Sequence, residues 1–398
     1  MDNKAFSLAA VATLTPGFAF KSKEFGSGFA RAIKIGNISR EISFCDLPIV
    51  DTSNYDIDKL KKYECSRGDF LVAMTGNTIG KVGRMVTGTA YANQRVLKIS
   101  ATDKIESGFL WAVLCTADFH SHVLSHIDSH SAQPNISAKS IGEYEVKLPN
   151  LTVQKRIASV FMSIEKKIEL NKRTNDYLAT LVDLEFSKRF SSSVSTTSLK
   201  NVLEISTKSL KPQQHAGETW EHYSIPAFDE MHWPIFELAD GIKSNKYMVD
   251  RNSILISKLN PSIKRMWIPV CLTDKAVCST EFIVYKPLEP RHKSFYCAAI
   301  NANNFTAFLL EHVTGSTGSR QRVQPKATLD YPIPNPCRTA IETFCDFADP
   351  IYRQIEINEI ESRRLGSLRD AFLPKLMSGE IDVSKVDLTQ PNNHLCDY

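Results

Sequence analysis

The chain has 398 residues, 42% hydrophobic and 23% charged, so it can bury large cores and exceeds one ordinary compact domain; two to four structural units are expected. Its net charge of +4 neither demands nor excludes a polyanionic partner, because a basic face hides easily in a balanced total. No leader-like segment opens the chain and no apolar run approaches about 18 residues, which excludes a standard secreted or membrane-spanning class and leaves a cytoplasmic protein as the expectation.

In chain order, residues 1–150 read as a globular α+β domain. Short apolar runs such as Phe70-Leu71-Val72-Ala73-Met74 and Arg95-Val96-Leu97-Lys98-Ile99 read as strands, and residues 108–127 read as one helix. Pro149 closes this domain. Residues 151–192 then form a spacer helix, free of Pro and Gly from residue 154 to 190 and about 55 Å long at about 1.5 Å per residue. The Ser/Thr-rich stretch 191–198 reads as a flexible linker. A second domain over 193–336, a second spacer helix over 337–382 and a tail over 383–398 complete the chain. The nine cysteines are scattered without a C-x-x-C pair and read as reduced, mostly buried thiols.

The layout occurs twice, about 187 residues apart. Ile157, Ile164, Asn171 and Leu178 fall at intervals of seven, flanked by Phe161, Ile168 and Leu181; Phe344, Ile351, Asn358, Leu365 and Phe372 repeat the pattern, flanked by Phe347, Ile355 and Leu368. Lys139, Tyr144 and Pro149 match Lys326, Tyr331 and Pro336 at one offset. A heptad pattern in both helices predicts that they pack together, antiparallel if a pseudo-two-fold axis relates the repeats. Asn171 and Asn358 occupy the same core slot, where a buried amide fixes register because a slipped helix would leave it unpaired; solvation at the helix edge is the alternative. Core positions repeat while the residues between them diverge, which suits either two domains that read different targets or surfaces that simply drifted.

Catalytic signatures are missing. Gly76-Asn77-Thr78-Ile79-Gly80-Lys81-Val82 is one residue short of a phosphate-binding loop and lacks its Ser/Thr, and no nucleophile elbow, H-E-x-x-H, dinucleotide fingerprint or adenine-methyltransferase motif is found. His122, His126 and His130, four apart, align on a helix and admit a metal with His120 or Asp128, but a polar helix face accounts for them equally well. Amide and basic side chains in turn-like strings suit phosphates and base edges: Lys21, Lys23, Asn77, Lys81, Asn93, Gln94, Arg95, Gln133 and Asn135 in the first domain, and Lys258, Asn260, Lys264, Arg265, Arg320, Gln321, Arg322 and Lys326 in the second. On the residues alone a protein-binding scaffold and a metal enzyme both stay open.

Two strings carry a family resemblance. Leu148-Pro149-Asn150-Leu151 through Gln154-Lys155-Arg156-Ile157-Ala158, with Ile164, Ile168 and Asn171, is similar to the central conserved region of type I restriction-modification specificity subunits. Phe372-Leu373-Pro374-Lys375-Leu376-Met377-Ser378-Gly379-Glu380-Ile381 resembles that family's closing motif, and Gly17-Phe18-Ala19-Phe20-Lys21-Ser22 with residues 76–83 resembles its target recognition domains. The resemblance implies two recognition domains, each reading half of a split asymmetric site in double-stranded DNA, spaced by an antiparallel coiled-coil pair. It also implies docked methyltransferase subunits and motor-nuclease restriction subunits. S-adenosylmethionine, ATP and Mg would then sit on those partners, with no cofactor, metal or catalytic residue in this chain. The second helix opens on Pro336-Cys337-Arg338-Thr339 where the first has Pro149-Asn150-Leu151-Thr152, a departure that bears on whether the two helices offer the same docking surface.

Overall fold

The structure, a computed structural model, describes residues 4–128, 134–191, 195–314, 321–381 and 383. The fold is α+β and divides into two units, residues 1–169 with 362–398, and residues 170–361. Two long helices, Leu151–Phe190 and Arg338–Ser378, each contribute one segment to each unit.

In the first unit a five-stranded sheet runs in the order Ala12–Pro16, Val96–Ala101, Asp69–Ala73, Val82–Met85, Glu41–Ile42. A four-stranded sheet runs Ile49–Val50, Phe25–Ile33, Ala90–Ala92, Glu64–Cys65. Val72, Leu97 and Ile99 of the larger sheet bury their side chains against Phe109, Trp111, Phe119 and Val123 of two short helices, and against Ile157, Phe161, Leu373 and Leu376 of the long ones. That shared apolar core is what attaches this sheet to the long-helix segments of its own unit. The single helix expected over 108–127 is two, Ser107–Leu114 and Ala117–Ser125. Thr116 makes the break: in extended conformation it accepts the Phe119 N–H through its hydroxyl and so starts a new helix.

The second unit repeats the plan. Leu203–Ser206, Phe282–Pro287, Ile254–Ser257 and Met266–Trp267 form one sheet, and Ser209–Leu210, Lys246–Met248, Ala276–Ser279, Thr219–Tyr223 and Ile235–Leu238 the other. Its core joins Ile254, Tyr285 and Phe295 to Val182, Phe186, Phe190 and Phe344 of the long helices. The stretch expected as linker is partly a strand: Thr196–Ser198 pairs with Pro332–Pro334, as Lys4–Ser7 pairs with Glu145–Leu148 in the first unit.

Within the second unit the helix segments run antiparallel, since Asn171 lies opposite Asn358 and Glu361, Asn175 opposite Ile355, and Phe186 and Phe190 opposite Phe344. The heptad reading drifts along both long helices. Leu181 and Phe372, expected on the packed face, are exposed, and their neighbours Val182 and Leu373 are buried instead. Leu368 is exposed as well. A straight helix slips about 20° per seven residues against a strict heptad, so after two or three repeats the buried seam moves to an adjacent position.

Candidate nucleic-acid interface

Strand Asp69–Ala73 leaves its sheet at Met74, and three main-chain hydrogen bonds fix the chain there. Met74 N–H donates to Arg95 O at 2.9 Å, Ile136 N–H to Met74 O at 3.0 Å, and Gly76 N–H to Pro134 O at 3.2 Å. Strand Ile254–Ser257 ends in the same clip: Lys258 N–H donates to Glu281 O at 2.9 Å, Val323 N–H to Lys258 O at 3.0 Å, and Asn260 N–H to Gln321 O at 2.8 Å. Residue for residue, Gly76 (φ 70°) and Asn260 (φ 49°) both take the left-handed backbone that lets the chain turn into the clip. Both clips also hold a short antiparallel bridge, Thr75 with Asn135 and Leu259 with Arg322.

Each clip gathers several of the amide and basic candidates. In the first unit it holds Arg95, whose guanidinium approaches the Asn135 side-chain oxygen at 3.5 Å, with exposed Asn77, Lys81 and Gln94 on the flanking turns. In the second it holds Lys258, Asn260, Gln321 and Arg322, and Glu281 accepts from Arg322 Nε and Nη2 at 3.1 and 3.0 Å. Lys326 is exposed on the short helix Pro325–Thr328 just beyond. Lys264 is exposed and donates to the main chain of Asn301. Lys21 and Lys23 are exposed in the turn before strand Phe25–Ile33.

Two candidates turn inward. The side-chain oxygen of Asn93 is buried. Arg265, at the repeat position of Lys81, is 8% exposed and grips Asp229 with Nε at 2.6 Å and Nη2 at 2.8 Å, which makes it a structural ion pair. Gln133 and Arg320, like His130, lie outside the described residues. His122 and His126 lie with ring centroids 4.2 Å apart and tilted by 31°, His122 Nε2 meeting Ser140 O and His126 Nδ1 meeting His122 O. Among the described residues no group of three or more His, Cys, Asp or Glu is placed to hold a metal.

Sequence reasoning missed three features. Glu165, on the first long helix, accepts from Arg40 at 2.8 and 3.0 Å and from Arg369 of the second at 2.7 Å, and the Arg40 guanidinium lies 4.8 Å from the Trp111 ring. Burial alone would raise the Glu165 pKa, but the two guanidiniums outweigh it and hold the carboxyl below its ordinary range. Second, Phe25 and Ala30 both pair with Val50, so residues 26–29 bulge out of the strand and leave Phe29 fully exposed. Third, Leu170, Tyr177, Leu181 and Leu184 form an exposed apolar stripe at helical spacing on the first long helix. Long-range pairings and which stripe faces solvent are invisible to periodicity, which shows only that a stripe exists.

Comparison with known proteins agrees with this architecture. Residues 2–179 match the profile of the type I restriction modification DNA specificity domain. The chain is 24% identical over 336 residues to the type I restriction enzyme MjaIX specificity subunit of Methanocaldococcus jannaschii, covering 74% of this chain and 73% of that one. The crystal structure of the type I restriction-modification S subunit from M. genitalium superposes with a TM-score of 0.53 at 14% identity, over 94% of this chain and 96% of that one, a likeness of fold. Residues 2–179 thus match a type I restriction modification DNA specificity domain, and the chain is similar in sequence to one specificity subunit of a type I restriction enzyme and in fold to another.

Proposed function

We propose that each globular unit reads one half of a split, asymmetric site in double-stranded DNA, and that the long helices set the gap between the halves. One observation carries this reading: the same main-chain clip stands at the end of the same strand in both units, but it displays different side chains, as two readers on one scaffold require. Lys21, Lys23, Lys81, Lys264 and Lys326, all exposed, then supply phosphate contacts that position the domains, while the clip residues approach base edges. Asn171 and Asn358 hold the helix register.

The chain itself is non-catalytic in this reading. Methyltransferase subunits dock on the long helices, for which the exposed stripe Leu170, Tyr177, Leu181 and Leu184 is a fitting apolar surface. They bring S-adenosylmethionine and methylate adenine, and motor-nuclease subunits bring ATP and Mg; the assembly works in the cytoplasm. Among the described residues no helix is long and apolar enough to cross a membrane.

Genome-wide mapping of N6-methyladenine in cells with and without the chain tests this proposal. The expected result is a set of sites lost with the chain that share two unlike half-sites at one fixed spacing. Loss of a single continuous motif, or of none, would overturn it.

A further inference from the structure

The two clips place the same pair of positions face to face. Position 95 matches 281, because both main-chain oxygens accept from the first clip residue, Met74 or Lys258; position 135 matches 322, because both bridge to the second, Thr75 or Leu259. Each pair contains one arginine, contributed by opposite arms. In the first unit the guanidinium comes from position 95 and faces the Asn135 oxygen; in the second it comes from position 322 and is gripped at two nitrogens by Glu281.

We propose that Arg95 with Asn135, and Arg322 with Glu281, are equivalent base-reading pairs: in each unit one guanidinium reads a purine edge, guanine by its chemistry, and the residue on the other arm orients it. This rests on the DNA-reading function proposed above and assigns the specificity-determining positions within it. A guanidinium presents a planar fork that matches guanine O6 and N7, so its discrimination depends on its plane being held. A carboxylate bound to Nε and Nη2 fixes that plane for Arg322. For Arg95 the cross-arm contact is the Asn135 oxygen, 3.5 Å from Nη1, and the Arg95 backbone sits at φ 73°, a strained conformation of the kind that persists where surrounding hydrogen bonds impose it. Both guanidiniums are exposed, and the clip beneath them is made of main-chain bonds, so their side chains are not needed for the turn. Glu281, which no basic or amide pattern would single out, becomes a positioning residue.

The test uses the full chain assembled with its methyltransferase subunits and duplex libraries in which both half-sites are randomised, with selected DNA sequenced. R95A and N135A should flatten the same base-pair column of one half-site, each lowering discrimination there about tenfold, and R322A and E281Q should do so at one column of the other. The exchange variant R95N/N135R, which moves the guanidinium to the arm used in the second unit, should recover preference for guanine at or beside that column. The pairs are overturned if two members of a pair flatten different columns, or if binding weakens uniformly over all sequences, the signature of phosphate contacts. If the unaltered assembly selects no sequence, the DNA-reading function fails and takes the pairs with it. Unchanged thermal denaturation of each variant separates lost reading from lost folding.

Discussion

Asn171 donates its side-chain amide to the Asn358 main-chain oxygen at 3.4 Å, and to a Glu361 carboxylate oxygen at 2.8 Å, while the Asn358 amide donates to Asn175 Oδ1 at 2.7 Å. The two asparagines, 187 positions apart and both buried, thus stand across one helix pair in a network that Gln354 extends by donating to Asn358 Oδ1.

Replacing Asn358 with alanine removes a donor and an acceptor and strands the Asn175 carbonyl. Unfolding free energy should fall by about 1–3 kcal/mol, read from equilibrium denaturation. A loss near zero would show that water replaces the network and that the amides do not hold register.

Glu165 should impose an acid limit on the first unit. Its folded-state pKa lies below the ordinary 4.5, so its stabilisation is complete above that value and is lost as pH falls through the folded-state pKa. E165Q should cost on the order of 2 kcal/mol at neutral pH, discounted because Arg40 is 36% exposed, and the gap to the unaltered protein should narrow below about pH 4. A gap independent of pH from 3 to 7, in roughly that range, would rule out a charged role for this carboxylate.

The bulge of residues 26–29 gives a paired comparison. Gly28 (φ 91°) has no room for a Cβ, which would lie 2.6 Å from Asp51 Cα, whereas Gly26 (φ 93°) faces open space. G26A should cost about 1 kcal/mol from backbone strain alone, and G28A at least about 2 kcal/mol more. Equal losses in denaturation would mean that the bulge opens freely and does not fix Phe29.

Matched insertions of seven residues in both long helices should keep the asparagine network and lengthen the helix pair by about 10 Å, or roughly three base pairs of gap. Methylation mapping should return the same half-sites at wider spacing; unchanged spacing would show that helix length does not set the gap.

Much of this molecule is legible as a linear pattern. The duplication, the α+β class, the strands at 69–73 and 254–257 and the two long helices all follow from apolar spacing and the constant offset between copies. The errors have local causes. Thr116 caps a helix inside what looks like one apolar run, and the buried seam migrates from Leu181 to Val182 because helix and heptad periods differ. Composition of turns picked out Arg95, Asn135 and Arg322 but treated Arg265 in the same way, since a basic residue facing an aspartate 36 positions away leaves no trace in its neighbours. Glu165 and Glu281 were missed for that reason too: a carboxylate gains its role only from the guanidiniums that folding brings to it.

The clip consists of main-chain hydrogen bonds, and it survives the exchange of glycine for asparagine at its left-handed position and of arginine for glutamate at its rim. Folding therefore places few demands on the side chains mounted there. If these side chains read DNA as proposed, a point substitution at the rim changes what is read at little cost to the scaffold beneath it.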